Sequence, residues 1–363
     1  MASRFEFVPI GDFRGGRNAT DLPLDLAENQ VVQARNGDFH RTSGFRKRGG
    51  ATAPSVGSAF TGVISSLLAH LPANVLANAE LWGVDDAATP VFGRMAGAST
   101  FSSVTVTDNL APSTDASALR GASFNGKHFL AYNSAQNRLH CYDPTLATPR
   151  VRRVGLATPA APTVANQGSG TYTATIRYYR VRYRIKNGSV IVAQSEPSAS
   201  TSFTPSGSGQ YARVTKPASL SEEETHWVLE ASSDNVTFYE DFDGSTEIAV
   251  ATTTYDDDNA VTAYASGVAS AVTGTYTVPG SWRYLRAAFN RMFGIGNWES
   301  GQPNSRLWFT PAAGTASRGD DERVPDTTSV KNWRDLDEGT GGDGTGFAGP
   351  TNGALYVFKY SQI

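Results

Sequence analysis

The stretch Phe124-Asn-Gly-Lys-His-Phe-Leu-Ala-Tyr132 decides the fold, because two similar stretches follow it along the chain. They are Phe289-Asn-Arg-Met-Phe-Gly-Ile-Gly296 and Thr351-Asn-Gly-Ala-Leu-Tyr-Val-Phe358. Each places Asn, which tolerates the backbone of a tight turn, before a run of strand-forming residues. The three stretches therefore predict one β-sheet module that the chain uses repeatedly.

Partner strands and spacing extend this module. Residues 138–142 and 306–309 follow the first two copies as partner strands, and residues 81–84 with 91–93 predict an earlier, degenerate copy. The Asn residues of the copies are 165 and then 62 residues apart. Allowing for an insert of about 100 residues, both intervals indicate a unit of about 60 residues, as in β-propeller blades. Residues 355–363 are predicted to begin a further blade, completed either by a longer polypeptide or by a neighbouring chain.

The insert has its clearest sequence pattern at residues 171–186, where apolar and cationic side chains alternate. This period of two predicts a strand with one buried face and one wet, cationic face. The predicted buried side chains are Tyr179, Val181, Tyr183 and Ile185, and the predicted cationic ones are Arg180, Arg182, Arg184 and Lys186.

Further short strands surround this one. Asn187-Gly188 is a favoured dipeptide of tight hairpin turns, and residues 189–194 form the predicted returning strand. Residues 210–215, 225–231, 235–241 and 246–255 are the predicted later strands. About seven short strands in about 100 residues indicate an immunoglobulin or fibronectin III-like sandwich.

Helical periodicity is scarce, so the predicted fold class is all-β. Two stretches are candidates for helix: residues 61–71 and residues 219–225, where Ser221 and Glu224 resemble a capping box. The predicted architecture is a set of partial β-propeller-like blades with the inserted sandwich and an extended N-terminal arm. The predicted divisions are the arm at 1–50, the first blades at 51–156, the sandwich at 157–258 and the second, incomplete blades at 259–363.

Composition narrows the possible classes. The chain has 363 residues, a net charge of −3 and one cysteine, Cys141. One cysteine excludes a disulfide scaffold or a multi-cysteine metal site, and near-zero charge argues against a nucleic-acid coat. No signal peptide is apparent, and His70 and Pro72 interrupt the most apolar stretch. We expect synthesis in a reducing cytoplasm without membrane insertion by this chain.

The N-terminal segment carries a family resemblance. It contains Gly15-Gly16, Leu22-Pro-Leu24, Ala34-Arg-Asn36 and Phe45-Arg-Lys-Arg-Gly49 in that order. This run resembles the opening of nozzle (tail tubular) proteins of short-tailed double-stranded-DNA bacteriophages. The blade pattern that ends at 352–359 is similar to the same family, and the insert is similar to fibronectin type III modules of phage tail components.

The resemblance implies a structural virion protein that forms a homo-oligomeric ring, often a hexamer, at the distal end of a short tail. DNA would pass through the ring, whose lumen should be polar or mildly acidic because tight phosphate contacts would retard passage. Its partners would be other copies of itself and tail proteins such as an adaptor and tail fibres. The arm at 1–50 would pack on neighbouring subunits or on the adaptor, and adjacent chains would cover exposed sheet edges.

The sequence offers little catalytic chemistry. It has no nucleophile elbow, zinc-protease helix or phosphate-binding loop, so we expect no enzyme activity, catalytic residue, cofactor or bound metal. Minor candidates are a metal site at His128, His140 and Cys141, and calcium loops at 256–259 and 335–343. For each of these we expect a packed hairpin or a solvated loop instead.

Two basic features could bind a partner. Arg46-Lys47-Arg48 is short for a nucleic-acid patch. The cationic face of residues 180–186 could meet phosphates, an acidic neighbour or a glycan, although a solvated sheet face is the expectation. The alternative functions are a receptor- or glycan-binding module of a tail fibre or adhesin, with Trp82 and Trp298 as candidate sugar contacts, and a secreted glycosidase with an accessory sandwich.

Overall fold

The chain divides into two units, Met1–Pro54 and Ser55–Ile363. In the first, β1 (Gly16–Arg17) pairs in parallel with β2 (Gln30–Val31), and β3 (Gly37–His40) pairs antiparallel with β4 (Gly44–Lys47). The computed structural model describes the backbone of these four strands and residues 59–72, 78–87, 89–97, 100–107, 119–132, 138–244, 246–297, 303–313, 319–336 and 342–360.

Two four-stranded antiparallel meanders open the second unit. In each meander, every strand pairs with the next strand of the chain. The first contains β5 (Ile64–His70), β6 (Glu80–Asp85), β7 (Phe92–Ala96) and β8 (Ser102–Val104), and the second contains β9 (Arg120–Phe124), β10 (Lys127–Ala131), β11 (His140–Tyr142) and β12 (Val151–Arg153).

A two-sheet sandwich follows the second meander. Its strands are β13 (Thr163–Gly168), β14 (Arg177–Asn187), β15 (Val190–Gln194), β16 (Thr201–Phe203), β17 (Gln210–Thr215), β18 (His226–Ser232), β19 (Tyr239–Glu240), β20 (Glu247–Ala249), β21 (Thr254–Asp257) and β22 (Val268–Ala269). One sheet has the order β13-β17-β21. The other has the order β15-β14-β18-β19-β22, with β16 on β14 and β20 on β18.

Part of the pairing resembles that of an immunoglobulin-type sandwich, because the pairs β13–β17, β14–β18 and β18–β20 correspond to its B–E, C–F and F–G pairs. The topology differs at β21, which occupies the edge beside β17 where strand D would lie but follows β20 in the chain. The core lies between the two sheets and contains the predicted apolar side chains of β14. Tyr179, Val181, Tyr183 and Ile185 are all buried, as their alternation predicts.

A third meander and a separate hairpin complete the second unit. The meander contains β23 (Trp282–Ala288), β24 (Arg291–Asn297), β25 (Arg306–Phe309) and β26 (Trp333–Asp335), and the hairpin contains β27 (Gly344–Thr351) and β28 (Ala354–Lys359). The first strand of each sheet contacts the first strand of the next, from β5 through β9 and β23 to β27. The four sheets therefore stand in a row, and the sandwich is inserted between the second and the third.

The three repeated stretches all lie at the turn between the first and second strands of a sheet. The two turn residues are Asn125-Gly126, Phe289-Asn290 and Asn352-Gly353, and each has a positive φ. Asn290 therefore occupies the position of Gly126 rather than that of Asn125, so aligning the copies by their Asn is wrong by one residue in the middle copy. Because Asn and Gly both tolerate the left-handed backbone, the sequence does not distinguish the two positions.

Apolar clusters join neighbouring meanders. Trp82 and Phe92 of the first meander pack with Leu130 and Tyr142 of the second. A second cluster joins the other face of the second meander to the third, and it contains Phe129, Cys141, Trp282, Met292 and Trp308. Opposite faces of one sheet thus contact the preceding and the following sheet, as the alternation of strand side chains requires.

Both predicted helices are wrong. Residues 64–70 form β5, because their alternating exposure suits a sheet and β6 is available to pair with them. Residues 219–225 are an irregular segment in which Ser221 and Glu223 have positive φ. Only half of the capping box forms, with Glu224 accepting hydrogen bonds from the backbone N–H groups of Ser221 and Glu222.

The helices of the structure are short. In the part of the chain that the structure describes, 3₁₀ helices lie at Val261–Ser266 and Asp320–Glu322. Strands make up 48% of the structure and helices 4%, so the all-β prediction is confirmed.

Candidate functional site

The cationic side chains of β14 form a paired ladder on the larger sandwich sheet. Arg180 lies directly opposite Glu230 of β18, and both Arg180 and Arg182 donate to that carboxylate, Arg182 at 2.5 Å. Arg182 is fully buried and also donates to the carbonyl of Ala271 at 2.5 Å. The guanidinium groups therefore hold the sheet together and attach the segment that follows β22.

The lower half of the ladder is paired in the same way. Arg184 donates to Glu240 at 2.5 Å and to Glu247 at 2.9 Å. Lys186 forms an ion pair with the second oxygen of Glu247. The predicted wet, cationic face is therefore wrong, because carboxylates on β18, β19 and β20 neutralise it and the side chains are largely buried. The positive charges of this face form ion pairs within the sandwich and are not exposed for binding phosphate or glycan.

A second ionic cluster joins the second and third meanders at Glu322. This carboxylate lies in the 3₁₀ helix between β25 and β26 and accepts two hydrogen bonds from Arg152 of β12, at 2.7 and 2.6 Å. Lys127, the first residue of β10, donates to it at 2.5 Å, and the backbone N–H of Gly155 does so at 3.0 Å. Glu322 is thus the point at which two sheets are tied together.

Asp321 and Asp143 surround the same lysine. The ammonium of Lys127 lies 2.9 Å from Asp321 and 4.0 Å from Asp143. Asn125, a turn residue of the repeated module, donates to Asp321 at 3.1 Å. Together with Val190, Ile191 and Val192 of the sandwich, these groups line a pocket of about 250 Å³.

Burial and ion pairing shift the pKa values of the two neighbouring carboxyl groups, Glu322 and Asp321, in opposite directions. Burial opposes ionisation of Glu322, but Arg152 and Lys127 outweigh it and hold the pKa of that carboxyl at about 2. At Asp321 burial prevails over Lys127, and the pKa of that carboxyl is raised. Within the described residues, no group of three or more His, Cys, Asp or Glu side chains is arranged to hold a metal ion. The cluster therefore acts as an ionic clamp.

A glycine positions this clamp against the sandwich. Gly319 precedes the 3₁₀ helix with a φ of 62°, and a Cβ there would lie 2.2 Å from the carbonyl oxygen of Val192. Only glycine suits this close approach in a left-handed conformation. The sequence did not reveal the clamp, because Lys127 and Glu322 lie 195 residues apart in the chain.

The acidic run at 256–259 is divided among separate structural tasks. Asp256 pairs with Arg213 at 2.6 Å, and Asp258 accepts a hydrogen bond from the backbone of Thr171 at 2.7 Å. Asp257 is fully buried and accepts from the hydroxyls of Tyr179 at 2.6 Å and Tyr264 at 2.5 Å. The run fastens β21 to the sandwich, and its carboxylates do not converge on one point.

The proposed metal ligands His128, His140 and Cys141 do not lie together either. His128 stacks on His70 of the first meander, with ring centroids 4.6 Å apart, and no hydrogen-bond partner of either His128 ring nitrogen lies within the described residues. His140 instead packs edge-on against Tyr132, and Cys141 lies on the opposite face of the sheet in the apolar cluster. The three side chains therefore do not form one metal site.

The remaining candidates lie partly outside the described residues. Trp82 is 1% exposed, so it does not offer a face for sugar stacking, and Trp298 is outside the described residues. The side chains of residues 46–48 are outside them as well. In the loop at 335–343, Asp335 pairs with Arg306 at 2.6 Å and residues 337–341 are not among those described.

Sequence reasoning missed one surface. Tyr356, Phe358 and Tyr360 are 53%, 52% and 60% exposed on one side of β28. β28 is the second strand of its hairpin, although residues 355–363 were expected to begin a blade. The alternation of aromatic residues from 356 to 360 was the signal that could have shown this exposed face.

Comparison with known proteins supplies no relative. No family model matches the chain, and no curated protein or solved structure matches it. Within the described ranges, no helix has the length and apolar character that a membrane crossing requires.

Proposed function

We propose that this chain is a structural subunit of a bacteriophage tail, of the nozzle kind, which assembles with copies of itself into a ring that DNA passes through. The observation that carries the proposal is the row of antiparallel meanders with a sandwich inserted between the second and the third. The sequence predicts the same order, with an N-terminal arm, blade-like units and a fibronectin-like insert, and the resemblance to nozzle proteins implies a ring-forming tail component. We take the row to be part of a propeller.

The internal use of charge supports a structural role over a catalytic one. The Glu322 clamp, the arginine ladder and the Asp257 cluster each join sheets or strands, and each carboxylate of these groups has protein partners. Charges of this kind are already paired within the protein, and breaking such a buried pair is strongly destabilising, which favours a structural role for them. The proposed activity is therefore assembly.

The proposed ring, often a hexamer in the family that the chain resembles, would contact an adaptor and tail fibres in the virion after synthesis in the host cytoplasm. DNA passage through it would be transient, without base-specific contacts. The alternative of a glycan-binding module loses the support of Trp82, which is buried.

Light scattering and negative-stain electron microscopy of the purified chain test the proposal. We expect particles whose mass is an integer multiple of the monomer mass and whose end-on views show a central hole. A chain that remains monomeric at every concentration and ionic strength examined would contradict the proposal. Mass spectrometry of purified virions would then identify whether the chain belongs to the particle at all.

A further inference from the structure

The two-residue turns align β28 with β10 and β24, residue by residue. Counting from the first residue after each turn, the third positions are Phe129, Phe293 and Tyr356. The fifth positions are Ala131, Ile295 and Phe358. Because strand side chains alternate between faces, all six point to the same side of their sheets.

In the second and third meanders, residues on this side contact the following sheet. Phe129 and Ala131 are buried in the cluster that also contains Trp282 of the third meander. Ile295 is buried as well, and a Cβ on Gly344 of β27 would lie 2.2 Å from its side chain. The third and fifth positions are therefore where one sheet is covered by the next.

At β28 the same positions have no cover among the described residues. Tyr356 and Phe358 are 53% and 52% exposed, and Tyr360 on the same side is 60% exposed. Leu355 and Val357, which point back toward the third meander, are half-buried. We call Tyr356, Phe358 and Tyr360 the terminal face.

The other end of the row exposes the complementary side of a sheet. Trp82 of β6 points toward the second meander, so Gly83 and its cross-strand partner Leu67 point away from it. Leu67 is 57% exposed, and the half-buried ring of Phe60 lies over Gly83 and Gly93. We call Phe60, Leu67, Gly83 and Gly93 the initial face.

We propose that the terminal face of one chain packs on the initial face of a second copy. The inference rests on the proposed function, because it names the surface through which copies assemble. Each chain already makes this kind of contact between its first and second and between its second and third meanders. Among the described residues, no further sheet covers either end face, and the side chains that define the two faces are uncharged. A head-to-tail contact of this kind is heterologous and generates a ring when its rotation closes.

Cross-linking between two differently tagged copies tests the contact directly. One copy carries Leu67→Cys and the other Phe358→Cys, and a short bismaleimide joins thiols that lie close together. We expect a product that contains both tags, and no product from either copy alone. Cys141 is fully buried and burial raises its pKa, so it should contribute no background. Val236→Cys, at a position 81% exposed on the sandwich, replaces Leu67→Cys in the control pair.

A charge substitution tests the same contact without cross-linking. Phe358→Glu should weaken association by about tenfold or more, because a carboxylate would be buried in an apolar interface. Val236→Glu is the matched control and should associate like the wild type. Far-ultraviolet circular dichroism checks that both variants are folded.

The outcomes separate the inference from the proposed function. If the wild-type chain forms rings while the two-tag product is missing and Phe358→Glu associates normally, this contact is wrong and the proposed ring stands. If the wild-type chain stays monomeric, both are wrong.

Discussion

The negative charge of Glu322 is expected to stabilise the fold, because buried cations depend on it. It accepts hydrogen bonds from Arg152 and Lys127, and all three side chains are buried. Glu322→Gln would keep the size of the side chain but leave two buried cations with less compensation. We expect the free energy of unfolding to fall by about 3–5 kcal/mol, the usual effect of removing one partner of a buried pair. Urea unfolding monitored by fluorescence measures this loss.

An exposed ion pair on the sandwich supplies the control for this substitution. Asp256 and Arg213 lie 2.6 Å apart with both side chains well exposed. Solvent screens such a pair, so Asp256→Asn should leave the unfolding midpoint nearly unchanged. A loss at Asp256 equal to that at Glu322 would show that burial does not decide the strength of these pairs.

The stacked pair of His70 and His128 predicts a loss of stability in mild acid. Burial lowers the pKa of His70 to about 4, Glu80 opposes this shift and Arg94 adds to it. Burial also holds the pKa of His128 well below its ordinary value. The unfolded chain takes up protons near pH 6.5, so the folded state is fully favoured above that pH. Stability should fall as the pH drops from 6.5 toward 4, in urea midpoints measured at each pH.

A substitution at His128 measures how much this side chain contributes to the loss of stability in acid. His128→Leu removes a buried titratable group and keeps an apolar side chain of similar size. We expect a flatter fall of the urea midpoint below pH 6.5 in this variant than in the wild type. An unchanged slope would assign the acid sensitivity to other groups.

At the scale of one element, the turn between β23 and β24 carries an unfavourable residue. Phe289 has a φ of 48°, a conformation that Asn adopts more readily than an aromatic residue. Its side chain is 49% exposed, so little packing is lost on replacement. Phe289→Asn should therefore raise the free energy of unfolding by about 1 kcal/mol. Asn352→Ala, at a φ of 50° in the equivalent turn, should lower it, and the opposite order in urea titrations would contradict the argument.

These turns also show how far local sequence predicts an element. The two-residue loops and the alternating strands could be predicted because Asn, Gly and side-chain alternation act within a few residues. The exact alignment of the middle copy could not, since Phe289 breaks the Asn-Gly pattern and Asn290 suits either loop position. Residues 64–70 likewise gave no local sign that β6 would pair with them.

At the scale of the whole molecule, the alternating pattern of β14 correctly predicted that its apolar side is buried. It wrongly predicted that its cationic side is exposed to solvent. The buried apolar side followed from alternation alone. The neutralised side depended on Glu230, Glu240 and Glu247, which reach β14 only when β18, β19 and β20 form the sheet. The Glu322 clamp was hidden for the same reason, since it unites residues of two meanders. Long-range charge pairing was thus the part of the structure that local sequence could not reveal.

The inserted sandwich has its own core but is also bonded to its surroundings. Glu196 accepts hydrogen bonds from the backbone N–H groups of Gly274 and Tyr276, and Glu222 forms an ion pair with Arg153 of the second meander at 3.1 Å. We therefore expect an excised fragment of residues 155–273 to fold cooperatively, because its core cluster lies almost entirely inside those bounds. Its unfolding midpoint in urea should be lower than that of the same sandwich in the whole chain.

Tryptophan fluorescence measures this difference cleanly. Of the six tryptophans of the chain, the fragment retains only Trp227, which is fully buried and donates to the carbonyl of Thr252 at 2.8 Å. In the whole chain, replacing the other five tryptophans by Phe leaves Trp227 as the same reporter. Equal midpoints would show that the bonds of Glu196 and Glu222 contribute nothing to the sandwich. A fragment without a cooperative transition would show that the insert depends on the meanders to fold, and the chain would then unfold as a single unit.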